Sequence, residues 1–320
     1  MADKARNVPL LTALVASLLV GVLALVHARV SPLPGMAALE GLTIDARFRL
    51  RGARAPATDR VVIVGIDDRV RSEAPDVIQT RRGYARLIDA LTAYDPKLIA
   101  LDLFFDSPEI VLAPALAGRV RALATELAAD PDPRLAETKA VLGDIVEELR
   151  GDELLAAAVA RSGRVFLGAL FFLDPDGRSV TAAEPEGLRL ARHGEVADAG
   201  GGDARRPAVA RAVAMTMPAI AKGAVGAGAV NAFRDEDGVT RRLPLAIEHG
   251  GRHYMPLGLA VALAELGASG DTRYLAGART LRAAGRELPV TRGASLALDV
   301  LGPGGIPRIS AAGPEHVERE

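Results

Sequence analysis

R-V-V-I-V-G-I-D-D, Arg60 to Asp68, is a run of β-branched residues that ends in two carboxylates. Its echo is K-L-I-A-L-D-L-F-F-D, Lys97 to Asp106, again apolar and again acidic at the C-terminal end. Apolar runs without alternation suit strands buried on both faces, as in a parallel sheet covered by helices. Between the two runs, Tyr84, Leu87, Ile88 and Leu91 recur at helical spacing, which predicts a helix over 81–94. Strand, helix and strand form a βαβ unit, so Arg60–Ile66 is expected to be the central strand of the fold.

The remaining chain extends this pattern. Helices are expected over 36–51 and 152–161, and two more over 113–150, on either side of Asp130-Pro131-Asp132-Pro133. Asp152 is the expected N-cap of its helix, and Gly163 ends it. Strands are expected over 164–173, 225–231 and 239–248. Arg234-Asp235-Glu236-Asp237-Gly238 is a hairpin turn between the last two. Residues 255–266 read as a helix, and 280–283, 287–290 and 296–301 as short strands. The Gly, Pro and charge of 174–211 read as a surface excursion. The expected fold class is α/β: a mixed, mainly parallel sheet with covering helices and a C-terminal β-hairpin region, preceded by one N-terminal transmembrane helix.

That transmembrane helix rests on Leu10 to Val26, which carries no charge, with Lys4 and Arg6 before it and Arg29 after it. Extended to Val8 and Val30 it meets the roughly 20 residues that a membrane span needs, and the transmembrane helix is expected over 10–30. Basic residues ahead of it orient residues 1–9 to the cytoplasm and the remainder outside it. A cleaved signal peptide, with Val26-His27-Ala28 at the cleavage site, is the alternative, and it also exports the chain.

Composition narrows the function. The chain has 320 residues, a net charge of −1, no Cys, no Trp and few aromatics. These values argue against a nucleic-acid binder and exclude disulfides, thiolate metal sites and cysteine nucleophiles. Ligands of open α/β sheets sit beyond the carboxyl ends of the strands, where Asp67, Asp68, Asp102 and Asp106 fall. Those acids could hold a metal or transfer protons, or they could cap loops and helices. Arg81-Arg82 and Arg241-Arg242 could clamp an anion or form surface ion pairs. Asp235 to Gly238 lacks the spacing and the terminal Glu of a calcium loop. His249 and His253 are separated by Gly250-Gly251, which disfavours zinc. Neither Gly223–Gly228 nor Gly302–Gly305 has a nucleotide-loop pattern, and there is no G-x-S-x-G elbow.

Several segments resemble one family. They are L-T-I-D-A-R-F-R-L-R (Leu42 to Arg51), R-V-V-I-V-G-I-D-D, I-A-L-D-L-F-F-D-S-P (Ile99 to Pro108), and G-A-G-A-V-N-A-F-R-D-E-D-G-V-T-R-R-L-P-L (Gly226 to Leu245). L-G-P-G-G-I-P-R-I-S-A-A closes the match at Ala312. The sequence resembles the type-2 CHASE domain, the extracellular sensory domain of bacterial adenylate cyclases, histidine kinases and serine/threonine kinases. It departs from the family at 77–82, where a W-P-W-like stretch is usual, and in the insert-like segments 109–150 and 174–211.

The resemblance implies a sensor domain over 36–312, a tail over 313–320, and an output domain, cyclase or kinase, that lies outside this chain. It implies a non-enzymatic, membrane-anchored extracytoplasmic sensor in the inner membrane, needing no cofactor. The expected partners are the membrane, an unidentified small-molecule or periplasmic ligand and a second copy in a homodimer, with no nucleic acid. By the sheet-end rule, the ligand-binding candidates are Asp67, Asp102, Asn231 and Arg241. The alternative is an exported metal-dependent hydrolase using the acidic cluster.

Overall fold

A computed structural model describes residues 2–29, 36–56, 60–176, 178, 184–198, 205–235, 237–302, 305–313 and 317–318. Contacts divide the chain into two units. The first holds residues 1–56, 234–241 and 300–305, and the second holds the rest.

In the first unit, helix α1 is Ala2–Arg29 and helix α2 is Met36–Arg51. The positive φ of Gly52 ends α2, where its N–H reaches Phe48 O at 3.0 Å. Arg49 and Arg51 lie in that last turn, where the helix dipole favours cations. Arg54 N donates to Leu301 O at 2.8 Å. The side chains of α1 are described over residues 12–26, and nearly all are exposed. Among the described residues no helix is long and apolar enough to cross a membrane. The span expected over 10–30 is therefore not seen.

Among the described residues, the second unit carries every strand. In chain order it contains β1 (Ile63–Gly65), α3 (Asp68–Glu73), α4 (Asp76–Gln79), α5 (Arg81–Ala93), β2 (Ile99–Leu101), α6 (Pro114–Ala128), α7 (Ala136–Glu148), α8 (Gly151–Ser162) and β3 (Val165–Leu173). It continues with β4 (Glu195–Asp198), β5 (Ala208–Met215), α9 (Pro218–Ala221), β6 (Gly226–Ala229), β7 (Arg242–Pro244), β8 (Ile247–His249), β9 (Arg252–Tyr254) and α10 (Leu257–Glu265). It ends with β10 (Thr272–Ala276), β11 (Thr280–Ala283), β12 (Arg286–Pro289), β13 (Ser295–Ala297), β14 (Arg308–Ser310) and β15 (Val317–Glu318).

The central strand is β3. Its first half pairs in parallel with β2 and with β6, and its second half pairs antiparallel with β5. Ala169 faces Ala229 of β6 and Met215 of β5, so β5 takes over the edge that β2 leaves. The V-F-L-G-A-L-F-F-L run fits this place because both faces of its first half are covered, while Phe172 near its end is exposed. Val165, Leu167, Ala169 and Phe171 join the core with Ile88 of α5 and Leu155 and Val159 of α8. Phe166, one residue out of phase, joins the other core, with Leu257 and Leu263 of α10 and Tyr274 of β10. The sheet is mixed, as expected. From β5 it continues through a parallel pairing to β8 and then an antiparallel one to β9.

The opening stretch is placed differently from its expected position. β1 pairs in parallel with β14, not with β2, in a separate three-stranded sheet. Val61, Val62, Ile63 and Ile66 stay 40–51 % exposed. Two apolar strands and a helix between them suggested a βαβ pairing, but a partner at the far end of the chain won. Three further expectations are corrected. Asp152 is not an N-cap: it sits in the first turn of α8, where its Oδ2 accepts from Glu109 N at 2.9 Å. Segment 174–211 carries β4 and part of β5. The single strand expected over 239–248 splits into β7, which pairs with β13, and β8, which pairs with β5.

Candidate functional site

Each residue expected at the ligand site has a definite local role in the structure. Asp67 is the N-cap of α3: its Oδ1 accepts from Val70 N at 3.2 Å and from Ser310 Oγ at 2.9 Å. The Ser310 hydroxyl and these backbone N–H groups hold its carboxyl below the usual carboxylate range. Asn231 extends the β6–β3 ladder by one rung with its side chain. Its Nδ2 donates to Phe171 O at 2.8 Å, and its Oδ1 accepts from Phe171 N at 2.9 Å. Asp102 is exposed just beyond β2, with no hydrogen bond or ion pair among the described residues. Arg81 donates to Asp152 Oδ1 at 3.3 Å and Ser107 O at 3.0 Å, over the ring of Phe105. Arg82 pairs with Glu148.

Arg241 belongs to the first unit and is buried. Nε and Nη2 form a fork on Asp45, at 2.9 and 2.7 Å. Nη1 and Nη2 form a second fork on Asp237, at 2.9 and 2.7 Å, and Nη1 also reaches Asp235 Oδ2 at 3.0 Å. A guanidinium has five N–H donors, so these bonds use them all and leave none for an incoming anion. The turn makes this possible. Gly238 at positive φ and the Asp235 N to Val239 O bond bring Arg241 back over Asp237 and Asp235. Gly41 makes room on α2, where a Cβ would stand 3.2 Å from the guanidinium carbon. The cation holds the Asp237 carboxyl down at about 2 and lowers that of Asp45. No hydrogen bond or ion pair joins any two of Asp67, Asp102, Asn231 and Arg241.

The second unit contains a half-open cavity of about 680 Å³, which the sequence reading did not locate. Residues of β4, β5, β8, β9 and β10 line it, together with Asp176, Arg206 and Pro207. The β8–β9 hairpin explains its wall. Gly250 and Gly251, both at positive φ, make the two-residue turn that sets Glu248 opposite His253. With a period of two, Ile247, His249 and Tyr254 turn into the core beside Phe171, and Glu248 and His253 turn to the cavity. The sequence signal is H-G-G-R-H at 249–253, where Gly250-Gly251 reads as a turn; that the turn sets His253 against Glu248 at a cavity does not follow from it. Among the described residues no group of three or more His, Asp or Glu could hold a metal ion.

Against known families, the model described as CHASE2 domain matches residues 16–313. The chain belongs to the CHASE2 domain family. CHASE2 domains are extracellular sensory domains rather than catalytic ones, and the match covers nearly the whole chain. No curated protein and no solved structure matches it.

This CHASE2 domain also buries an imidazole. His193 Nε2 lies 2.9 Å from Leu245 O, so the ring proton sits on Nε2 and Nδ1 is a bare lone pair. Nδ1 is buried without a partner among the described residues, and the ring stacks on Tyr274 at 5.3 Å. Burial pushes the imidazole down to about 4. A histidine kept neutral by folding contributes stability above its unfolded value near 6.5, and that stability is lost as pH falls through about 4. His253, also lowered by burial, adds in the same direction. The urea midpoint is expected to fall between pH 7 and pH 4, with His193 contributing up to about 3 kcal/mol of the loss. His193→Gln should flatten that slope, and an unchanged slope in this variant would refute the assignment.

Proposed function

We propose that this CHASE2 domain is the extracytoplasmic sensory part of a bacterial membrane signalling protein, anchored through α1 and coupled to a cyclase or kinase output domain. The observation that carries the anchor is the surface of α1. Leu14, Val15, Leu18, Leu19, Val20, Val22, Leu23 and Leu25 are 42–67 % exposed and cover most of the helix circumference, the remaining side carrying the small, uncharged Ser17, Gly21 and Ala24. A helix apolar over most of its surface gains by entering lipid, at about 25 cal/mol for each Å² of apolar surface removed from water. Lys4 and Arg6 ahead of it favour a cytoplasmic N-terminus.

In this proposal a ligand binds one arrangement of the domain better than another, and the difference in affinity shifts the population. The segment 234–241 leaves the sheet-bearing unit after Phe233 and re-enters it at Arg242, and Arg241 locks it to α2. A shift in that segment is therefore carried to the helix that follows α1 in the chain. Asp102 remains a candidate ligand contact, and Asp67, Asn231 and Arg241 frame the domain. After alkaline carbonate washing, the full chain is expected to stay with the membrane pellet, and protease added from the periplasmic side should cleave it. Complete release into the wash would remove the anchor.

A further inference from the structure

We infer that the cavity walled by the β8–β9 hairpin is a binding site for a small organic cation, a primary ammonium on a short apolar chain, held by Glu248 and His253. The inference deepens the sensory reading by naming a ligand class. Charge is the first argument. Asp176, Asp198 and Glu248 line the cavity, with Arg206 as the one guanidinium among the lining residues. Arg206 Nη2 is engaged by both oxygens of Asp198, at 3.2 and 2.9 Å, and Asp176 pairs with Arg178 at 2.8 Å. Glu248 has no hydrogen bond or ion pair among the described residues.

Its cross-strand neighbour cannot neutralise it. His253 faces Glu248 directly, and burial holds its imidazole below its ordinary value, so it is neutral at pH 7. A carboxylate and a neutral imidazole side by side are two acceptors for one ammonium, which has three donors and no acceptor. Such a cation supplies the charge that the wall lacks.

The second argument is shape and depth. At about 680 Å³ the cavity is far too large for a bare metal ion and within the usual range for a small molecule. Val196, Ala197, Pro207, Val209 and Ala276 give it an apolar side that suits an alkyl chain. Tyr274 sits behind His253, ring to ring at 5.5 Å, and is fully buried. Its hydroxyl has no partner among the described residues, and it feels the charges of Arg206 and Glu248. Tyr274 is thus one ring behind the lining rather than part of it, and an unpaired buried hydroxyl is the kind of group that a polar ligand reaching past His253 would satisfy.

The test uses the full chain in detergent at pH 7.5, with 1,4-diaminobutane as probe and succinate and 1,4-butanediol as anionic and neutral controls of like length. Calorimetric titration should show heat of binding for the diamine and none for either control. Glu248→Gln should weaken diamine binding at least tenfold. If that variant fails to fold, the comparison of the three probes on the unaltered chain decides. No diamine binding, equal binding to Glu248→Gln, or a control that binds as well as the diamine would overturn the site. That failure leaves the sensory reading in place, since the carbonate wash tests its anchor separately.

Discussion

Replacing Gly228 by alanine is expected to abolish stable folding of the sheet-bearing unit, while Gly258→Ala, thirty residues away, is expected to be neutral or mildly stabilising. A Cβ on Gly228 would lie 2.3 Å from Leu257 Cα, 2.4 Å from Leu257 N and 2.8 Å from Pro256 C. All three are backbone atoms, so no rotamer change relieves the clash. The start of α10 would have to move off β6, where Ala229 N donates to Met255 O at 2.9 Å. It would also disturb the core that Leu257 and Leu263 share with Phe166 of β3. Overpacking usually costs about 1–3 kcal/mol where side chains can yield, and here the obstacle cannot. At Gly258 a Cβ meets nothing within 4 Å and the residue is helical, so alanine should add about 0.5 kcal/mol by restricting the unfolded chain. Denaturant midpoints and folded yield of the two variants check this. A Gly228→Ala protein as stable as the parent would show that α10 does not approach β6 as described.

The second large effect is expected at Arg241. Arg241→Ala leaves the carboxylates of Asp45, Asp235 and Asp237 gathered with no cation between them. Removing one partner of an enclosed ion cluster is far more damaging than the net worth of the cluster. We expect the melting of the first unit to fall by roughly 5–10 °C, with earlier proteolysis in the chain after α2. Arg241→Lys should rescue little, because a point charge cannot hold two carboxylate forks at once. The pH dependence has a definite sign. Folding lowers the pKa of Asp45 and brings that of Asp237 to about 2. Their contribution is therefore present above the ordinary carboxylate value near 3.8 and is lost as pH falls toward 2. The parent should show this acid transition by circular dichroism and Arg241→Ala should not. A variant with the parent's melting temperature and acid profile would refute the role of the cluster.

Local chemistry was legible at several points. The helix over 36–51 has the bounds expected of it, and Gly163 and Gly238 take the positive φ that their places after a helix and in a turn required. The strand expected from Arg164 forms as β3. Motif content was legible too, because the CHASE2 match covers the segments quoted from the sequence. At the site, the sequence reads Asp235 and Asp237 as a turn and Arg241 as either an anion clamp or a surface ion pair, and the structure has it ion-paired but enclosed. Nothing in their spacing shows that they meet, and Asp45 lies much further away along the chain.

R-V-V-I-V-G-I-D-D marks the boundary between the two kinds of information. Its β-branched run by itself determined that a strand forms there, and the polar group after it determined a helix cap, since both depend on neighbours within a few residues. Which strand it pairs with, and hence that it is not central, was decided by β14, whose Ile309 and Ser310 reach Val64 and Gly65 from the far end of the chain. The same holds for Glu248 and His253, whose shared face exists only because Gly250-Gly251 folds β9 back on β8. Backbone preference is a property of a few residues and can be read along the chain. Pairing, burial and the company that a charge keeps are settled by which distant segments close over it, and only the tertiary structure decides that.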